Sequence, residues 1–118
     1  MANPRFTVNN DNTGRLLRMD YQAPSYAATL ALVLNAGYTL VKPGTLTGAL
    51  TINANVTDAA IGDRVQFLFK CDGTSRTVTY GTNFKSAGTH ALNINDEGSS
   101  VFIFDGTNFV EESRATTT

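Results

Sequence analysis

The chain predicts an all-β fold: one small β-sandwich or jelly-roll-like domain of about eight strands, preceded by an extended N-terminal arm. Three observations carry that expectation. Apolar residues recur with a period of two in short segments, Gly, Pro, Asn and Asp break the chain between those segments, and no stretch repeats apolar residues at helical spacing. A length of 118 residues suits a single domain with a real core.

Residues 1–26, MANPRFTVNNDNTGRLLRMDYQAPSY, differ from the rest. Asn, Asp, Gly and Pro interrupt any periodicity, and the apolar residues are scattered, so this stretch is expected to be an arm with single anchor side chains lying along a neighbouring subunit, with a flexible tail as the alternative. The body is expected over 27–118. Thr29–Leu34 alternates with leucines on one face, Asn35-Ala36-Gly37 turns the chain, and Tyr38–Lys42 returns it before Pro43-Gly44. In Thr45–Val56 the residues Leu46, Leu50, Ile52, Ala54 and Val56 share one parity, while Thr45, Thr47, Thr51, Asn53 and Asn55 share the other. That is the pattern of a half-buried strand. Gly48, within the apolar parity, marks a bulge or a close approach by another backbone.

Val56–Gly62 reads as a loop or a single helical turn. Asp63–Lys70 points Val65, Phe67 and Phe69 inward, Asp72-Gly73 turns, and Arg76–Tyr80 follows. His90–Asn95 alternates again. The closing SSVFIFDGTNFVEESR reads as two strands joined by Asp105-Gly106, because Gly reaches positive φ without a Cβ penalty. Phe102 and Phe104 face one way, Val101 and Ile103 the other, so this strand wants cover on both faces. Asp-Gly-Thr recurs at 72–74 and 105–107, and Gly-Thr-Asn-Phe at 81–84 and 106–109. These echoes suggest two equivalent hairpins.

Composition excludes several functions. The net charge of −1 lacks the clustered basic face of a nucleic-acid binder. No apolar run approaches the roughly 20 residues of a membrane-spanning helix, and Met1–Asn10 holds no apolar signal-peptide core, so synthesis in a cytoplasm is expected. Charged residues make up 16% of the chain, below the roughly 25% of an average domain. Thr, Asn, Ser and Gly fill the polar positions instead, as suits sheet faces that will be covered.

No catalytic motif is visible, and no cofactor or metal is expected. Cys71 has no second cysteine to bridge and reads as a small buried hydrophobe. His90, the one histidine, shares parity with Leu92 and Ile94 and reads as a strand-end or rim residue. Asp96, Glu97 and Asp105 are the only conceivable calcium cluster, yet turn aspartates ordinarily accept hydrogen bonds from their own backbone. Tyr38, Tyr80 and Phe84 are the residues an aromatic sugar platform would draw on; packing in the core or at a subunit contact is the expectation.

The segments GTLTGALTINANVTDAAIGDRVQFLF, DGTSRTVTYGTNFKSAGTH and VFIFDGTNFVEESR, in that order, resemble surface modules of tailed-bacteriophage virions. Those are capsid decoration (cement) proteins, head fibres and the terminal domains of tail fibres. The resemblance covers residues 44–114 and implies a non-enzymatic structural protein, commonly a homotrimer. Here there is no collagen-like, coiled-coil or repetitive β shaft, which favours a decoration protein on the capsid surface whose partner is the major capsid protein. A fibre-tip module binding host-surface glycan is the alternative. Under this reading Arg5, Phe6, Arg15, Leu16, Leu17, Arg18 and Tyr21 contact the capsid or a neighbouring subunit. Val101, Ile103, Phe109 and Val110 mediate self-association.

Overall fold

The computed structural model describes residues 19–118, and period-two patterning is realised there in ten strands with no helix. They are β1 (Met19–Gln22), β2 (Thr29–Val33), β3 (Tyr38–Val41), β4 (Leu50–Asn55), β5 (Arg64–Lys70), β6 (Arg76–Tyr80), β7 (Phe84–Lys85), β8 (His90–Leu92), β9 (Glu97–Phe104) and β10 (Phe109–Thr117). Two sheets result, ordered β1-β3-β5-β9-β10-β7 and β2-β4-β6-β8.

The connectivity differs from a jelly roll. Through β9 the chain alternates between the sheets, odd-numbered strands entering the six-stranded sheet and even-numbered ones the four-stranded sheet. Successive strands within each sheet therefore pair in parallel: β1 with β3, β3 with β5, β2 with β4, and β4 with β6. A jelly roll is built from antiparallel strands. Here each six-stranded-sheet strand and its successor form one turn of a winding. Antiparallel pairing appears only at the far end, where β8 returns against β6, β9 against β5 and β10 against β9.

Several expected elements change accordingly. Met19–Gln22, expected in the arm, is a strand of the sheet paired with Tyr38–Val41. The long strand over 45–56 is interrupted: Leu46 makes an isolated parallel bridge to Cys71, and regular pairing starts at Leu50. Gly48 marks a close approach, since a Cβ there would collide with the Tyr26 hydroxyl, which donates to the Ala49 carbonyl at 2.7 Å. Asp72-Gly73 makes a corner carrying the chain from one sheet to the other, whereas Asp105-Gly106 closes the β9–β10 hairpin with Gly106 at φ +105°. The Gly-Thr-Asn-Phe copies are not parts of equivalent hairpins. They lie side by side, Phe84 in register with Phe109.

The core fills the space between the sheets. Phe67 lies 5.9 Å from Phe102 and 6.0 Å from Tyr80, and Tyr80, on the four-stranded sheet, lies 4.8 Å from Phe102 on the other. Tilted and edge-on rings at these separations add about 0.5–1.5 kcal/mol per pair to their area burial. Leu32, Val41, Leu46, Leu50, Ile52, Val65, Val78 and Leu92 complete the interior.

Candidate interaction surface

Alternation that buries one parity must present the other. On the six-stranded sheet the outward parity is unusually apolar. Strand register aligns Met19, Tyr38, Arg64, Ile103 and Val110 in one row across five strands. The next row is Tyr21, Leu40, Gln66, Val101 and Ser113, and a third holds Leu68, Ser99 and Ala115. Met19 and Tyr21 are more than half exposed, and Val110 is 39% exposed. Three of the polar groups in these rows are tied within the face: the Tyr38 hydroxyl donates to Gln66 Oε1 at 2.5 Å, and Arg64 bridges to Glu112 at 2.7 Å.

The predicted contact residues separate on this map. Val101, Ile103 and Val110 come together on the outer face, and Tyr21 joins them from the edge strand. Phe109 does not: it is fully buried, 5.0 Å from Phe104, because the two outward positions of the hairpin alternate with core positions. Arg5, Phe6, Arg15, Leu16, Leu17 and Arg18 lie outside the described residues. Met19, Leu40 and Leu68 were not singled out by sequence reasoning, and Tyr38 was named only with Tyr80 and Phe84 as a sugar-platform candidate expected in the core or at a subunit contact. Their signal was the same two-faced apolar pattern seen in Val101–Phe104, present in TLV and QFLF.

The outer face of the four-stranded sheet is different in chemistry and equally free of net charge. Thr29, Thr51 and Thr79 form one row, Ala31 pairs with Asn53, Val33 with Asn55, and Thr77 with Ala91. No charged side chain stands in these rows.

A hollow of about 400 Å³ lies at the rim of the six-stranded sheet, lined by Tyr21, Ser25, Lys42, Thr45 and Lys70 among others. A second, of about 290 Å³, continues past Lys42 and Lys70 to Glu97, Ser99 and Thr117.

The buried polar groups form a network that joins strands. His90 Nδ1 stands 3.3 Å from the Tyr80 hydroxyl, which is 2.6 Å from Ser100 Oγ, and His90 Nε2 is 2.8 Å from Thr116 Oγ1. Arg114 lies over the Tyr80 ring, pairs with Glu111 and donates to the Gly88 and Thr89 carbonyls. Burial, and then the Arg114 charge, lowers the His90 pKa; burial pushes the Tyr80 hydroxyl up to about 12. Burial also raises the Glu111 pKa, but its bonds to Arg114 and the Ala87 N–H outweigh that and leave it lowered. Ser100 and His90 are only 1% and 2% exposed, so this network is enclosed between the sheets. His90 stands at the start of β8, the strand end that was expected, but it is buried in the interior and not at the rim. Ile94, of the same parity, is exposed because β8 ends at Leu92.

The remaining candidates are dispersed. Tyr80 and Phe84 are buried in the aromatic core while Tyr38 faces outward, so they form no common platform. Asp105 accepts from the Thr107 and Asn108 N–H groups, Asp96 accepts from Asn93, and no metal-holding cluster of three His, Cys, Asp or Glu occurs among the described residues. The buried Cys71 thiol donates to the Thr74 carbonyl at 2.8 Å. No protein-family model matches the chain, and no curated protein is significantly similar to it.

Proposed function

We propose that this chain is a non-enzymatic structural module of a tailed-phage virion, a capsid decoration protein that binds the assembled lattice as a homotrimer. The observation that supports this reading most is the outer face of the six-stranded sheet, where Met19, Tyr21, Tyr38, Leu40, Leu68, Val101, Ile103 and Val110 stand in register. Outward apolar residues on both sides of Arg64 and Gln66, Met19, Tyr21, Tyr38 and Leu40 on one and Val101, Ile103 and Val110 on the other, are the kind of surface that marks contact with another macromolecule. A protein that binds only the assembled lattice stabilises it by linkage, and three copies joined together multiply a modest affinity. The segment before β1 supplies Arg5, Arg15 and Arg18 toward an acidic capsid surface, with Phe6, Leu16 and Leu17 from the same segment and Tyr21 from β1 as apolar anchors.

Co-sedimentation with purified capsids of the encoding phage tests this. Saturable occupancy at lattice symmetry sites is expected, weakened by the combined Arg5, Arg15 and Arg18→Ala change most strongly at low salt, where charges are least screened. A full-length chain that fails to bind capsids overturns the reading. The fibre-tip alternative is favoured by one feature: the hollows that place Tyr21, Lys42 and Lys70 along one rim offer a ring face and two cations to an acidic saccharide. Binding to a glycan array without capsid binding selects it.

A further inference from the structure

Side-chain size falls away at one end of the outer face of the six-stranded sheet. The row Leu68–Ser99–Ala115 sets two small residues beside a leucine, where the rows before it carry Tyr38, Leu40, Val101 and Ile103. Lys70, Glu97 and Thr117 form the next outward row, and Lys42 follows β3 on the same parity, since Val41 before it is buried. The depression left by the small residues is the hollow of about 290 Å³, floored by Leu68, Ser99 and Ala115 and rimmed by Lys42, Lys70 and Glu97. The same two lysines line the neighbouring hollow of about 400 Å³, where Tyr21 and Thr45 stand in the wall.

The backbone beneath both lysines is fixed. The Lys42 N–H donates to the Gln22 carbonyl at 2.8 Å, and the Lys70 carbonyl accepts from the Leu46 N–H at 2.8 Å. Each arginine among the described residues is committed to a carboxylate of the fold: Arg64 to Glu112, Arg76 to Asp72 and Arg114 to Glu111. Lys42 and Lys70 are exposed at the boundary shared by two hollows, where two cations attract one anionic group. Glu97, in register with Lys70, decides what carries that group. A polypeptide rich in carboxylates brings further negative charge against it. A sugar acid brings one carboxylate together with hydroxyls, and a hydroxyl donates to Glu97. The volumes lie near the lower end of the roughly 300–1,000 Å³ of ligand pockets, which suits a small ligand rather than a folded partner. The floor is apolar, as the C–H face of a sugar ring requires, and Tyr21, more than half exposed, offers an aromatic face in the adjoining hollow.

We propose that the two hollows together bind a saccharide that carries a carboxylate. The acid sits between Lys42 and Lys70, a ring hydroxyl donates to Glu97, and the adjoining sugar lies against Tyr21. This deepens the glycan reading, on which it rests, and is independent of capsid binding. Ser99 is four residues from Ile103 along β9, about 13 Å, so the site and a self-contact centred on Ile103 occupy different parts of the face.

Titration of the full chain with sialyllactose and with digalacturonic acid, followed by amide chemical shifts, tests the proposal, with lactose as the neutral control. Saturable shifts centred on Lys42, Leu68, Lys70 and Ser99 are expected for at least one of the acids, and binding of lactose should be at least tenfold weaker. Lys42→Gln/Lys70→Gln should weaken acid binding at least tenfold and leave the melting temperature unchanged, because both side chains are exposed. Sugar-acid binding retained in that variant, or shifts confined to another face, overturns the proposal. Acetate and an oligoglutamate peptide supply two further arms, and either one binding as strongly as the sugar acid shows a generic anion site and overturns it too. Lactose binding as tightly as the acids overturns the acid site alone and leaves a glycan role standing. No binding by any of the three sugars at high millimolar concentration overturns the glycan reading with it.

Discussion

Protonating His90 would place a charge in the interior beside the Arg114 guanidinium, with Glu111 the nearby group that favours it. In the unfolded chain the ring titrates at the ordinary 6.5, and in the folded protein burial and Arg114 hold it lower. Below 6.5 the unfolded state therefore binds the proton first, and stability is lost as pH falls from 6.5 through the folded pKa. The depressed carboxylates Asp72, Asp105 and Glu111 have ordinary values of 3.8 and 4.5 and act at lower pH. Melting temperature should hold between pH 8 and 7 and decline toward pH 5. His90→Gln should flatten that decline even if its melting temperature is lower throughout; an equal decline in the variant would place the titration elsewhere. Gly98 belongs to the same neighbourhood, because a Cβ there would stand 2.7 Å from Leu92 Cδ2 and 3.0 Å from the His90 ring. None of this was legible beforehand. The alternation gave His90 the parity of Leu92, but Ser100, Tyr80 and Thr116 meet it only through pairing across distant strands.

At the scale of elements, the same tripeptide Asp-Gly-Thr serves two geometries, which offers a controlled comparison. In both, the aspartate accepts from the threonine N–H two residues on. Only Gly106 has a positive φ, and a Cβ there would also lie 3.3 Å from Ile61, whereas Gly73 has ordinary φ and open space. Gly106→Val should cost about 1–3 kcal/mol for a β-branched residue forced into that region. Gly73→Val should cost well under 1 kcal/mol, and chemical denaturation of the two variants checks both; equal losses would show that the turn backbone is not the discriminating factor. Period-two alternation made most strands readable, but it is identical for parallel and antiparallel neighbours, so the winding was not. β7 is two residues long and leaves no period to detect. β1 was hidden for a different reason: MDYQ turns Asp20 and Gln22 inward and Met19 and Tyr21 out, the reverse of the usual strand pattern.

For the molecule as a whole, charge is absent from the four-stranded sheet's outer rows, and the central Arg64 of the other face is neutralised by Glu112. Such faces repel neither each other nor a weakly charged partner, while the turns and rims, with Asp58, Asp105, Lys42 and Lys70 among them, keep the particle solvated. If the apolar face carries the self-contact, a charge at its centre should abolish association without harming the fold. Ile103 is suited to this because it lies between Arg64 and Val110 on the outer parity, while Phe102 and Phe104 on either side hold the core. An uncompensated lysine in the middle of a desolvated contact costs several kcal/mol, enough to weaken assembly about a thousandfold or more. Light scattering at micromolar concentration should therefore give a trimer for the natural chain and a monomer for Ile103→Lys, with melting temperatures of the dissociated species within a few degrees. Ala91→Lys, on the outer face of the four-stranded sheet, should leave the trimer intact. If Ala91→Lys dissociates the assembly and Ile103→Lys does not, the self-contact belongs to the threonine-bearing face instead, and the apolar face is left for the capsid.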